Sequence, residues 1–87
     1  MGRYKLLFRK SVAQDMRHIP SRDVRRLIAV VDSLSEDPRP AGGEKLSGQE
    51  RYRVRQGDYR IVYEINDDET TVIVVRVGHR KDVYRRS

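Results

Sequence analysis

Residues 51–65 read RYRVRQGDYRIVYEI, and this stretch decides the fold of the chain. Two runs of alternating apolar and polar side chains flank the pair Gly57-Asp58, and a period of two is typical of half-buried strands. A Gly-Asp pair between two such runs predicts a tight hairpin turn. The expected cross-strand pairs are Gln56 with Tyr59, Arg55 with Arg60, Val54 with Ile61, Arg53 with Val62, and Arg51 with Glu64.

This register divides the hairpin between two faces. The apolar set, expected to face the helices, is Tyr52, Val54, Ile61 and Tyr63. The opposite set is Arg51, Arg53, Arg55 and Arg60. Arg55 directly opposite Arg60 places like charges together, which destabilises a ladder by roughly 0.2–1 kcal/mol. A bound anion would offset this repulsion, so the pattern favours a polyanion site on the second face.

The remaining periodicities complete an α+β fold. Tyr4, Leu6 and Phe8 alternate as the buried side of a strand, and Ser11 is a candidate N-cap for a helix to about His18. A second helix, from Ser21 to before Pro38, has one apolar stripe. That stripe consists of Val24, Leu27, Ile28, Val31 and Leu34. Residues 37–50 predict a loop, and Thr70–Val77 predicts a central strand ended by Gly78.

We therefore expect a single domain over residues 1–87 with the order β-α-α-β-β-β. Two helices would pack on one face of a mainly antiparallel, four-stranded sheet, followed by a short basic C-terminal segment. The chain has no Cys and two widely separated His, so neither a metal site nor a cofactor is expected. It has no apolar run of membrane-spanning length and no signal-peptide pattern, which predicts a cytoplasmic protein without a membrane partner.

The formal net charge of +6 is concentrated in two segments. Residues 51–60 and 76–87 together carry nine basic and two acidic side chains, whereas the other 65 residues carry a net −1. Fifteen of the nineteen basic residues are Arg, whose planar fork suits phosphate. Outside the hairpin, His79 and Tyr84 stand among basic neighbours and are candidates for proton transfer or base stacking.

Several motifs together resemble the RelE/ParE superfamily of bacterial toxins, and the RelE branch in particular. They are Leu46-Ser47-Gly48, Tyr52-Arg53-Val54-Arg55, Asp58-Tyr59-Arg60-Ile61-Val62-Tyr63, and the run from Val77 to Arg85, VGHRKDVYR. The resemblance covers almost the whole chain. It implies the toxin of a type II toxin–antitoxin pair that cuts mRNA in the ribosomal A site by metal-independent attack of a 2′-hydroxyl on the adjacent phosphate.

The resemblance also implies site residues and partners. The family's catalytic positions match Arg53, Arg55, Arg60, Arg80 and Tyr84. Arg51, Arg76, Lys81 and Arg85 are expected to contact mRNA or rRNA. The implied partners are the ribosome and a cognate acidic, RelB-like antitoxin that forms a hetero-oligomer with an otherwise monomeric toxin.

One departure concerns the proton that the 2′-hydroxyl must lose. Positions 53 and 55 are Lys in the best-known members and Arg here, and Arg is not deprotonated in proteins. Another base is therefore needed. His79 and Tyr84 are the candidates, with Glu64 a weaker one.

Two other functions remain open from the sequence. A ParE-like inhibitor of DNA gyrase would use the same fold, and its toxicity would come from DNA damage. A non-catalytic RNA-binding module would bind RNA with steep salt dependence and give no cleavage products.

Overall fold

The computed structural model describes residues 3–46 and 51–79. Within them the chain forms two helices and one five-stranded sheet with the strand order β1-β5-β4-β3-β2. The elements are β1 (Lys5–Phe8), α1 (Lys10–Arg17), α2 (Ser21–Leu34), β2 (Glu44–Lys45), β3 (Arg51–Gln56), β4 (Tyr59–Asn66) and β5 (Thr71–His79). The predicted C-terminal segment lies outside the described residues.

The central hairpin has the predicted register. Arg51 pairs with Glu64, Arg55 with Arg60, and the intervening pairs follow in step. Gly57 in the turn has a φ of 60°, a backbone conformation that glycine adopts without a Cβ penalty. The hairpin register is therefore fixed by its own turn and its own alternation.

The sheet is larger than predicted. Glu44 and Lys45, expected in a loop, form the short strand β2 beside Arg53 and Tyr52. The strand β1 runs parallel to β5, and β5 continues through Gly78 to His79 rather than ending at Gly78. The strand β2 was missed because two residues are too few to show an alternating pattern. The strand β5 continues past Gly78 because β4 still pairs with it there.

Both helices contribute to a core on one face of the sheet. Val12 of α1 and Leu27, Val31 and Leu34 of α2 pack with the apolar face of the central strands. Two predicted core residues are exposed. Ile28 is 43% exposed, because the sheet covers only part of the apolar stripe of α2. Phe8 is 49% exposed, because β1 is an edge strand.

The helix α1 also protects an edge of the sheet. Beyond the stretch of β5 that pairs with β1, Ser11 Oγ donates a hydrogen bond to the Val75 carbonyl at 3.2 Å. One helical turn later, Asp15 Oδ2 accepts one from the Val77 N–H at 3.1 Å. Ser11 is thus not the N-cap, since the helix begins at Lys10 after Arg9. Instead, two side chains of α1 satisfy backbone groups that an edge strand would leave unpaired.

The segment between α2 and β2 is attached to the end of the sheet. The buried Tyr63 donates its hydroxyl to the Pro38 carbonyl at 2.7 Å. Next along the chain, Arg39 donates to Asp67 in the turn after β4. These contacts fix the direction from which Glu44 approaches β3. Neither described helix is long and apolar enough to cross a membrane.

Candidate phosphate-binding site

The face of the sheet opposite the helices carries a set of arginines that we call the arginine face. Residues directly opposite one another in neighbouring strands share a face. The register therefore aligns Arg53, Val62 and Arg76 in one line across three strands. Arg55, Arg60 and Gly78 form the next line. Sequence reasoning placed Arg53, Arg55 and Arg60 together, and the structure adds Arg76.

The arginine face is not an apolar packing surface. Val62 is only 6% exposed but is not part of the core cluster formed with the helices. It lies between Arg53 and Arg76 in the register, so the aliphatic parts of long side chains can shield it while their charged ends remain accessible.

One end of the arginine face is neutralised by an acidic residue. Glu64 Oε2 accepts a hydrogen bond from Arg51 Nε at 2.9 Å and lies 3.6 Å from Arg9 Nη2. Arg9 was not identified from the sequence, because its position depends on the non-local pairing of β1 with β5. Glu64 is engaged with two guanidinium groups here.

The centre of the site contains Arg53 with Glu44. Arg53 Nη2 donates to Glu44 Oε2, and the charges of Arg53, Arg55 and Arg60 all lower the pKa of Glu44, with the Arg53 hydrogen bond as the largest cause. Glu44 was also missed from the sequence, since no pattern in residues 37–50 marked it as a strand. Its carboxylate brings a negative charge into the predicted anion site.

Arg60 has an unusual environment. Its Nε is buried and has no hydrogen-bond partner among the described residues. An unpaired buried donor costs about 1–3 kcal/mol, and Arg60 also faces Arg55 across the ladder. Arg60 therefore has two destabilising features, an unpaired buried donor and a like-charged neighbour. A ligand that accepts from this donor would account for the first of them.

The structure places His79 on the other side of the sheet. It pairs with Tyr59, whose strand phase faces the helices, and the two rings meet edge to face with centroids 6.0 Å apart. Gly78, not His79, shares a face with Arg60. The remaining predicted site residues, Arg80, Lys81, Tyr84 and Arg85, lie outside the described residues.

A groove of about 770 Å³ lies near Arg51 at the other end of β4, and it does not include Arg53, Arg55 or Arg60. Its lining includes Glu64, Asp67 and Asp68. Carboxylates outnumber the one arginine there, so the groove is unsuited to phosphate despite its size. Within the described ranges, no three acidic or histidine side chains are grouped so that they could hold a metal ion.

Comparison with known proteins gives a consistent result. Residues 6–84 match the family described as ParE toxin of type II toxin–antitoxin system. The toxin RelG of Mycobacterium tuberculosis is 37% identical over 90 residues, covering 95% of this chain and 98% of RelG. Toxin RelE3 of Methanocaldococcus jannaschii is 35% identical over 85 residues, covering 92% of this chain and 94% of RelE3.

A solved structure shares the fold as well as the sequence pattern. A chain of the toxin–antitoxin complex RelBE2 of M. tuberculosis has a TM-score of 0.79 at 30% identity, over 88% of this chain and 98% of that chain. The match therefore extends over most of this chain. The chain therefore belongs to the ParE toxin family of type II toxin–antitoxin systems, on the RelE branch of the RelE/ParE superfamily.

Proposed function

We propose that this toxin is a ribosome-dependent endoribonuclease that cleaves mRNA in the A site without a metal ion. The observation that carries the proposal is the pair Arg55 and Arg60, which face each other with no hydrogen-bonded carboxylate among the described residues, while the Nε of Arg60 is buried and unpaired. A phosphodiester supplies the anionic oxygens that such a pair lacks.

The reaction has one bond-forming and one bond-breaking event. The RNA 2′-hydroxyl loses its proton to a base as its oxygen attacks the adjacent phosphorus. The bond to the 5′-oxygen breaks and that oxygen takes up a proton, so the products are a 2′,3′-cyclic phosphate and a 5′-hydroxyl. Negative charge grows on the phosphoryl oxygens in the transition state. Arg53, Arg55 and Arg60 would stabilise that charge through preorganised donors, a class of interaction worth about 10²–10³ in rate for each donor.

The remaining catalytic roles are assigned to Arg80 and Tyr84, which lie outside the described ranges. Arg80 would bind a neighbouring phosphate or the leaving oxygen, and Tyr84 would stack on a base and take part in proton transfer. We do not assign the base to His79, because it lies on the face opposite Arg60. Lys81 and Arg85, with Arg51 and Arg76 on the arginine face, would contact mRNA or rRNA backbone.

The proposed protein partner is an acidic, RelB-like antitoxin. The RelBE2 structure is a toxin–antitoxin complex, and so is an archaeal RelE–RelB structure from Pyrococcus horikoshii with a TM-score of 0.80 at 27% identity. An acidic chain would neutralise the basic surface of this toxin and block RNA. We propose a cytoplasmic location as well, because the ribosome on which the toxin would act lies there.

The test is translation of a defined mRNA in a purified system, with primer extension to locate new 5′ ends. Wild type is expected to produce A-site cuts with 5′-hydroxyl ends. Arg60→Ala should cut about 10²–10³ times more slowly. Arg26→Ala, at an exposed position on α2, should cut like wild type. Equal rates for Arg60→Ala and wild type would overturn the site assignment.

Inhibition of DNA gyrase is the second candidate, because the family that the chain matches is described as ParE toxin. Intact mRNA together with inhibited supercoiling by the purified toxin would establish that alternative. RNA binding without either effect would instead indicate a non-catalytic module. Mapping of 5′-hydroxyl ends after brief expression separates the three outcomes in cells.

A further inference from the structure

The strand β2 places a carboxylate inside the proposed anion site. Glu44 pairs with Arg53 in the ladder, which in turn aligns with Val62 and Arg76. The Glu44 side chain is 56% exposed, whereas that of Arg53 is 24% exposed. The carboxylate is therefore the more solvent-exposed partner of the contact, and a phosphate that approaches this part of Arg53 meets it.

A carboxylate and a phosphate use the same donors of a guanidinium group. Both accept charge-assisted hydrogen bonds from its N–H fork. When Glu44 accepts a hydrogen bond from Nη2 of Arg53, the N–H in use is not available to phosphate unless the carboxylate moves aside, and the carboxylate repels a phosphate that approaches the other N–H groups. In addition, Glu44 lowers the positive potential that attracts RNA to the neighbouring Arg55 and Arg60.

The position of Glu44 permits such a displacement. Its strand has only two residues and pairs with β3 alone, at the edge of the sheet. The segment before it is attached to the end of the sheet through the Pro38 carbonyl and the Arg39 side chain. These two attachments hold the backbone of Glu44 in position while its side chain moves. An exposed glutamate can rotate away from Arg53 about its own side-chain bonds without breaking either attachment.

We infer that Glu44 is an internal competitor for phosphate at Arg53, one that weakens the binding of free RNA and must be displaced before cleavage. This inference rests on the proposed function, because it assigns to the same site a further residue that sets its affinity. The consequence is that the toxin discriminates against short or isolated RNA in favour of mRNA held on the ribosome. A short or isolated RNA gains one phosphate contact and must displace Glu44, whereas an mRNA held by additional contacts can offset that cost.

The experiment measures RNA binding by the isolated toxin, with no cleavage required. The probe is a fluorescent RNA tetranucleotide with 2′-O-methyl groups, which lacks the attacking hydroxyl, titrated at constant low salt. Glu44→Gln is expected to bind it about three- to fivefold more tightly than wild type, the size of effect for a partly exposed ion pair. Glu44→Ala should show the same direction.

The matched control is Glu69→Gln. It makes the same change in net charge, but Glu69 lies in the turn after β4, beside Asn66 and away from the arginine face. An equal gain in Glu69→Gln would overturn the inference, because the effect would then be one of total charge. No gain in Glu44→Gln would overturn it too.

A double substitution tests the named partner. In an Arg53→Ala background, Glu44→Gln should give a clearly smaller gain than in wild type, since the contact it releases is already absent and only the weaker effect on Arg55 and Arg60 remains. A full, additive gain would contradict competition at Arg53. A loss of cleavage rate at saturating mRNA in Glu44→Gln, with RNA affinity unchanged, would also overturn the inference, because Glu44 would then act in the chemical step.

Although the inference rests on the proposed function, the binding test and the cleavage test can fail separately. Absence of A-site cleavage by wild type in the translation assay would overturn the ribonuclease proposal. The binding comparison between Glu44→Gln and Glu69→Gln would still report whether Glu44 competes with phosphate at Arg53.

Discussion

Arg39 donates two hydrogen bonds to Asp67, from Nη1 at 3.3 Å and from Nη2 at 2.8 Å, and so attaches the segment after α2 to the turn after β4. Tyr4 donates its hydroxyl to the same carboxylate at 2.9 Å. The Arg39 guanidinium carbon also lies 5.4 Å from the centre of the Tyr52 ring. Four separate parts of the chain therefore meet at one ion pair, whose Arg39 lies shortly before β2 and Glu44.

Arg39→Ala is expected to lower the free energy of unfolding by about 0.5–1 kcal/mol. The Arg39 and Asp67 side chains are 46% and 56% exposed, so solvent screens the ion pair and the loss stays within the range of exposed pairs. Urea denaturation measures the change, with Arg26→Ala as the control for removing an exposed arginine. A loss no larger than that of Arg26→Ala would show that the contact does not stabilise the fold.

The same contact predicts a pH dependence. Hydrogen bonding to Arg39, followed by that to Tyr4, holds the pKa of Asp67 below its usual value. The pair therefore contributes stability above about pH 4, the ordinary range of an aspartate, and loses it as the pH falls through the lowered pKa. The difference in unfolding free energy between wild type and Asp67→Asn should be constant near neutrality and shrink in acid. A difference independent of pH down to about pH 2 would contradict this assignment.

Arg55→Glu should separate stability from activity. It replaces a like-charge pair with an opposite-charge pair facing Arg60, which should raise the free energy of unfolding by about 0.2–1 kcal/mol. The same change removes a phosphate ligand, so mRNA cleavage should fall sharply. Arg55→Gln is the control, because it removes the repulsion without adding attraction and should be intermediate in stability. A destabilised Arg55→Glu protein would show that the repulsion is not significant.

Leu27 and Ile28 are adjacent and chemically similar, but their substitutions should differ greatly. Leu27 is fully buried, whereas Ile28 is 43% exposed. Leu27→Ala should cost about 2–4 kcal/mol through lost burial and the cavity left behind, and Ile28→Ala less than about 1 kcal/mol. Urea denaturation of both variants compares them directly. Similar losses would mean that the exposed face of α2 is covered in solution.

Local patterns predicted the features that depend on nearby residues. The hairpin register follows from Gly57-Asp58 and the flanking alternation. The separation of Tyr52 from Arg53 onto opposite faces follows from the period of two. The buried stripe of α2 was predicted correctly except for Ile28. Periodicity shows which side of a helix faces the sheet, but not how wide a part of that side the sheet covers.

Non-local contacts could not be predicted in this way. The strand β1 meets β5 across more than sixty residues, and that pairing decides the exposure of Phe8 and the approach of Arg9 to Glu64. The extension of β5 to His79 puts that ring on the side opposite Arg60, although the sequence shows the histidine beside a basic segment. Because side chains alternate between the faces along a strand, the ladder that continues past Gly78 assigns His79 to the face opposite Gly78 and Arg60.

The sequence by itself determined that this chain has an arginine-bearing strand pair with one apolar and one basic face, because turn chemistry and strand alternation act within a few residues. The hairpin register also predicted Glu64 opposite Arg51, whereas only the tertiary structure decided which other charges stand next to those arginines. Arg76 lies in line with Arg53 through Val62, Arg9 joins the pair of Arg51 and Glu64, and Glu44 reaches Arg53 through a strand of two residues. These neighbours come from outside the hairpin, and their positions follow from the packing of the whole sheet.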